Sequence, residues 1–429
     1  MIAPASTGAG ARGDPPAWVI VAALWLLVFT ASSQIMIMAP ILPLVGDELG
    51  IKESVLGTLV SVYSLMVGVF AIVAGPFSDR LGRRTILLVG SGLMAVGLGL
   101  HSFVDSYASF LVVRILTGVA GGILSGSTIS YVGDYFPYHR RGWATGWIMS
   151  GTAAGQILGI PLGIMLAGSL GFRVPFQLFA IAMAATCLLI FWRVPQPEVR
   201  RSRQRVTFVR ASRDYLAMLS RPEIRAASAA FSLMFIGVSL YVVYLPTWLE
   251  REVGITANQI ALLFLVGGVA NILVGPQAGR ISDRIGRKGI ITFSCLALAF
   301  VMAGTTFVVA GAGAAFAWFF LVMALVAMRI GPFSALLTTL VPEQRRGSLL
   351  SLTVALGQVG FAAGAALAGV LYTTIGYGPT TLLAGGAMFG MGLLVWFRVP
   401  EPDQSGRLPS PTPLPASRAL AEKGAEGEY

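Results

Sequence analysis

The sequence predicts an all-α membrane protein with twelve transmembrane helices in two matching halves. Three observations predict it. Hydrophobic residues make up 55% of the 429-residue chain and charged residues only 11%, against about 25% charge in an ordinary soluble domain. Mostly apolar runs of roughly 18 or more residues recur, each long enough to cross a hydrocarbon core of about 30 Å. A ten-residue motif occurs twice. Gly75-Pro-Phe-Ser-Asp79-Arg80-Leu-Gly82-Arg83-Arg84 returns 204 residues later as Gly279-Arg-Ile-Ser-Asp283-Arg284-Ile-Gly286-Arg287-Lys288, with six positions identical.

Residues 1–16 are mostly small and are expected to form a disordered cytoplasmic amino terminus. The first apolar segment, 18–44, outlasts a signal-peptide core and is read as a retained helix. Pro40 and Pro43 kink or end it, because each lacks a backbone N–H. Segment two, 55–77, leads into the first motif, and segment three covers 85–103. Segment four, 109–132, is rich in glycine and exits through Asp134, Pro137 and Arg140-Arg141-Gly142. Segments five and six cover 143–167 and 174–192, so the first six-helix half is placed at 17–193. A basic cytoplasmic linker, 194–225, separates it from the second half at 226–398. That half holds segments 226–248, 258–278, 289–310, 316–340, 348–372 and 379–397. The tail, 399–429, is Pro-rich and polar and is expected to be disordered. The duplication also pairs Arg140-Arg141-Gly142 with Arg345-Arg346-Gly347, and Trp192-Arg-Val-Pro-Gln-Pro with Phe397-Arg-Val-Pro-Glu-Pro.

The formal net charge is +11. Its placement excludes a nucleic-acid partner. With the amino terminus inside, the outer loops hold only Lys52, Arg173 and Arg251 of the 30 basic residues, and Arg114 and Arg329 lie within helices. That asymmetry puts both termini in the cytoplasm and the chain in the cytoplasmic membrane. The basic linker then faces an anionic lipid surface. Cys187 and Cys295 lie inside apolar segments and read as small core residues. No cofactor or metal site is expected, and no cluster of His, Cys, Ser or acids at one depth supports a membrane enzyme.

Duplicated Gly-x-x-x-Asp-Arg-x-Gly-Arg-Arg/Lys loops at half-chain spacing resemble the major facilitator superfamily of membrane transporters. The resemblance covers roughly residues 17–398. It implies two pseudo-symmetric six-helix bundles related as parallel repeats, working by alternating access on a small-molecule substrate, with a monomer expected. It assigns a conformational latch to Gly75, Asp79, Arg80, Gly82, Arg83 and Arg84, and to Gly279, Asp283, Arg284, Gly286, Arg287 and Lys288. Asp134 joins the latch as an acid at the exit of segment four, with Arg83 or Arg84 as its partner. In this chain Gly75 and Gly279 suit a helix end, and Asp79 and Asp283 suit acceptors for orphan N–H groups at a helix start. Arg114, with Gly118 four residues on, is similar to an element of that helix associated with coupling; the alternative is an arginine snorkelling to the headgroups. Segment five is similar to the family's antiporter motif but has Gln156 and Ile160 where that motif has proline and glycine. Close helix packing through its glycines is the competing account.

Arg329 is the sharpest local signal. It lies thirteen residues before Pro342, roughly 20 Å from the inner helix end at about 1.5 Å per residue. A guanidinium at that depth keeps its proton and must face the bundle interior. It either binds an anionic substrate group or is satisfied by carbonyls freed near Gly331-Pro332. Gln34, Tyr63, Tyr244 and Gln358 complete the substrate-binding candidates, since an unpaired amide facing lipid is costly; helix–helix hydrogen bonding is the alternative for each. All nineteen acids fall in loops, tails or helix ends, which disfavours proton coupling through a central carboxylate. The sequence therefore predicts a secondary-active or facilitative carrier of a small solute, an organic anion being favoured by Arg329, with multidrug efflux as the rival.

Overall fold

The computed structural model describes residues 16–197, 208–342 and 345–401, apart from the side chains of 75–80, 138, 208–212 and 214. Twelve helical spans long and apolar enough to cross a membrane occur among them. Spans 1 to 6 are Ala17–Met36, Glu53–Ala74, Arg83–Phe103, Tyr107–Tyr135, His139–Leu170 and Arg173–Arg193. Spans 7 to 12 are Pro222–Arg251, Ala257–Ile285, Arg287–Val308, Ala312–Thr339, Arg346–Ile375 and Tyr377–Arg398. Within the first half, span 2 packs on span 4, span 3 on span 6, and span 1 on span 5. The second half repeats the scheme: span 8 packs on span 10, span 9 on span 12, and span 7 on spans 11 and 12. The halves meet along spans 2 and 11 and along spans 5 and 8.

The end of the molecule carrying Gly82 and Gly286 is here called the motif end, and the opposite end the far end. One apolar core runs through the first half and continues into the far end of the second, through Tyr241, Leu245, Phe264, Phe319 and Ala365. The motif end of the second half has a separate core built on Phe231, Ile291, Phe333, Leu349 and Met391. The two halves are thus fused at the far end.

Several helices break where local chemistry demands it. Span 1 ends at Met36 and the chain resumes as a helix over Met38–Leu49; Pro40 has no N–H for the Met36 carbonyl. Span 4 divides at Gly126, whose φ of 73° is left-handed. Span 5 contains a π-turn at Gly155–Gly159, an arrangement common at functional positions. Its glycine row packs on span 1. A Cβ at Gly151 would lie 2.8 Å from the Trp25 carbonyl, and one at Gly155 would lie 3.0 Å from the Ser32 Cβ.

Four expectations are corrected. Gly75 and Gly279 do not close helices: one helix runs Glu53–Leu81 and another Ala257–Ile285, so the motif is helix, one glycine, helix rather than a ten-residue loop. Arg140, Arg141 and Gly142 lie inside a helix that begins at Tyr138, after Pro137. The linker contains a helix, Phe208–Leu219, which rests on the second half through Met218. Finally, 194–197 and 399–401 are ordered, anchored by the buried Val194 and Val399. Residues 1–15 and 402–429, predicted as tails, lie outside the described residues.

Candidate functional site

Polar side chains gather in the first half, toward the far end. Arg114 of span 4 is buried, and its Nε donates to the Leu59 carbonyl at 3.1 Å while Nη1 reaches Gln34 Oε1 at 3.4 Å. Gln34 Nε2 donates to the Tyr63 hydroxyl at 2.9 Å. The guanidinium lies 4.3 Å from the centroid of the Tyr63 ring. Gly118 allows this approach, since a Cβ there would lie 2.7 Å from the Tyr63 carbonyl. Arg114 therefore faces the bundle interior and does not snorkel. Two candidate ligands, Gln34 and Tyr63, and the coupling candidate Arg114 form one cluster, a link that sequence reading did not make. His101, which the sequence places at a segment end, is also buried, stacked on Phe176 at 4.0 Å.

Arg329 sits in the second half with no exposed surface. None of its three guanidinium nitrogens has a hydrogen-bond partner among the described residues. The carbonyls near Gly331 and Pro332 do not satisfy it. The Cys295 thiol of span 9, also buried, lies within electrostatic range. Arg114 and Arg329 thus differ. The first has neutral partners on spans 1 and 2, and the second has no hydrogen-bond partner among the described residues.

The far end is joined by groups that sequence reading had little reason to connect. Tyr244, at a break in span 7, donates its hydroxyl to the Glu53 carbonyl at 2.6 Å and accepts from the Gly57 N–H at 2.8 Å. Arg251 pairs with Asp47 at 2.7 Å and also with Glu53. Spans 2 and 11 touch backbone to backbone. A Cβ on Gly369 would lie 2.5 Å from the Ser54 carbonyl, and one on Gly68 would lie 2.9 Å from the Ala355 carbonyl. Tyr244 is therefore engaged in the joint between the halves, and Gln358, half-buried beside Gly68, lines the same seam.

At the motif end, Gly82 and Gly286 carry φ values of 92° and 101°, each as the single residue between two helices. The first N–H groups of spans 3 and 9 are capped across each bundle. Gln196 accepts from the Arg84 N–H at 3.0 Å. Glu401 accepts from the Arg287 and Lys288 N–H groups at 2.5 and 3.3 Å. Asp283 does not serve those amides; it pairs with Arg287 at 3.5 Å. The sequence-predicted pair forms between Arg83 and Asp134, at 2.6 Å. Arg84 instead donates to the Phe191 carbonyl and lies 5.7 Å from the centroid of the Phe191 ring. Arg284 is exposed, and the side chains of Asp79 and Arg80 and the surroundings of Gly75 lie outside the described residues. The capping residues were missed, although their signal, the repeated Arg-Val-Pro-Gln/Glu-Pro, was visible.

The chain is 26% identical over 293 residues to Multidrug resistance protein MdtG of Salmonella paratyphi C (strain RKS4594), covering 66% of this chain and 72% of that one. The same identity and coverage hold for its counterpart in Salmonella typhi. Two solved structures share the fold. A D-xylose-proton symporter superposes with a TM-score of 0.74 at 21% identity, covering 91% of this chain and 98% of that one. The human organic anion transporter MFSD10 (TETRAN) gives 0.67 at 19% identity, covering 89% and 100%. The family model of the Major Facilitator Superfamily matches residues 24–340 and 229–424. A duplicated twelve-span fold, its repeated motif and that match identify the chain as a member of the Major Facilitator Superfamily, a multi-pass transporter of small solutes.

Proposed function

We propose that this transporter carries a small organic anion across the cytoplasmic membrane, with the motif end and both termini in the cytoplasm. The observation that carries the reading is Arg329, a buried guanidinium without a hydrogen-bond partner among the described residues. An isolated charge at that depth costs several kcal/mol. No carboxylate of this chain lies at mid-span, so the compensating acceptor comes from outside the chain. A carboxylate or phosphate oxygen suits a guanidinium fork. Arg114 adds a second buried positive charge held only by neutral groups, and Gln34 and Tyr63 position it. Gln358 lies on the seam that the solute passes. Tyr244 acts with Arg251 in closing the outer side, and the hinges at Gly82 and Gly286 with the Arg83–Asp134 pair set the inner side.

Ligand-dependent melting of the purified chain, with counterflow in proteoliposomes, tests this reading. A ligand that binds the folded state raises the melting point. Small carboxylates or phosphates should stabilise the wild type, and Arg329→Gln should lose both that shift and counterflow. Equal stabilisation of both proteins by an anion would remove Arg329 from the site. The rival reading is efflux of lipophilic drugs, favoured by the name of the MdtG relatives. Stabilisation by cationic or neutral lipophiles, unchanged in Arg329→Gln, would establish it.

A further inference from the structure

The exposed perimeter carries a second duplication at the motif end. Span 6 ends Phe191-Trp192-Arg193, and span 12 ends Trp396-Phe397-Arg398. The aromatic pairs are 56% and 70% exposed in the first half and 50% and 71% in the second. In both halves the arginine that follows is exposed. A motif cation lies over the first ring of each pair: Arg84 is 5.7 Å from the Phe191 centroid, and Lys288 Nζ is 5.8 Å from that of Trp396. Spans 3 and 6, and spans 9 and 12, pack together to form these corners.

Exposed aromatic rings at a helix end mark the interfacial depth of a bilayer. Two cations beside them face the phosphate level of the same leaflet. A soluble anion would use the cations but leave the rings uncovered; an anionic phospholipid covers both, its phosphate on the cations and its glycerol and acyl carbons on the rings. We propose that each half holds one anionic-phospholipid headgroup site, at the corner of spans 3 and 6 and at the corner of spans 9 and 12. The first site is the stronger. The residue capping the neighbouring helix start is the neutral Gln196 in the first half and the carboxylate Glu401 in the second, so among the described residues the cap of the second corner carries a negative charge and that of the first does not.

Native mass spectrometry of the full chain in neutral detergent, titrated with phosphatidylglycerol or phosphatidylcholine, tests the proposal. Phosphatidylglycerol should bind preferentially. Arg193→Gln should weaken its binding about fivefold, as expected for one cation near a membrane surface, and Arg398→Gln should weaken it less. Arg193→Lys, which keeps the charge, should retain binding and thereby show that any loss is electrostatic. The exposed Arg225, at the start of span 7, is the control, and Arg225→Gln should leave binding unchanged. Equal binding of the two lipids, or a loss in Arg225→Gln matching that in Arg193→Gln, would overturn the sites. A larger loss in Arg398→Gln than in Arg193→Gln would overturn the ranking.

Discussion

A buried guanidinium is defined by what it touches. Arg114 has a carbonyl, an amide and an aromatic face; the cluster is closed by the Gln34–Tyr63 bond of 2.9 Å. Tyr63→Phe removes the acceptor of a buried amide, and an unsatisfied group of that kind costs about 1–3 kcal/mol. We predict a lower unfolding midpoint in denaturant for Tyr63→Phe; an unchanged midpoint would mean that the amide finds another acceptor. The Arg83–Asp134 pair is different, with side chains 19% and 24% exposed. A double-mutant cycle with Arg83→Gln and Asp134→Asn should return a coupling of no more than about 1 kcal/mol. A larger coupling would show the pair to be better shielded than its exposure indicates. Each member of the Arg114 cluster was visible in the sequence as a polar residue in an apolar run. Their union was not, because Gln34 and Arg114 are 80 residues apart and meet only through the packing of spans 1, 2 and 4. The lack of a hydrogen-bond partner for Arg329 among the described residues was half legible. The absence of mid-span acids can be read from the chain, but the fate of its nearby carbonyls cannot.

At the level of helices, the repeated motif was fully legible and its internal geometry was not. Hydropathy reports where a chain leaves lipid, and Asp79-Arg80 and Asp283-Arg284 mark that point. The helices continue beyond it as charged extensions until Gly82 and Gly286. This reverses the importance of the motif glycines. A Cβ on Gly279 meets nothing within 4 Å, inside a continuous helix. Gly279→Ala should raise stability by about 0.5–1 kcal/mol through helix propensity. Gly286 has φ 101°, and a Cβ added there would lie 3.4 Å from the Glu401 carboxylate, so Gly286→Ala should lower stability by about 1–3 kcal/mol. Thermal melts of the two variants check both signs, and a neutral Gly286→Ala would remove the claim that this turn needs glycine. The breaks at Ile37 and Gly126 show the same limit. Proline and glycine announced a disturbance within a few residues, while the break itself was set by which carbonyl lost its partner.

For the molecule as a whole, twelve spans and two halves followed from the sequence, but the conformational state did not, since it depends on which contacts between halves are made. Here they are made at the far end, through Arg251, Tyr244 and the glycine contacts of spans 2 and 11. Gly369→Val should hold that end apart, because its side chain would meet the Ser54 carbonyl. We predict faster labelling by a membrane-impermeant maleimide of a cysteine introduced at Ser54, in a Cys187→Ser background. Labelling as slow as in the parent would show that the seam tolerates bulk. The contact at Gly68 has a mechanical meaning as well. From Gly68, the helix Glu53–Leu81 reaches eleven residues to Gly57 and fourteen to the Gly82 turn, arms of roughly 16 and 21 Å at 1.5 Å per residue. A helix touching its partner near its midpoint is a see-saw. We propose that span 2 pivots about Gly68: a rigid tilt there would separate one end by about as much as it brings the other together, opening one mouth of the transporter while shutting the other.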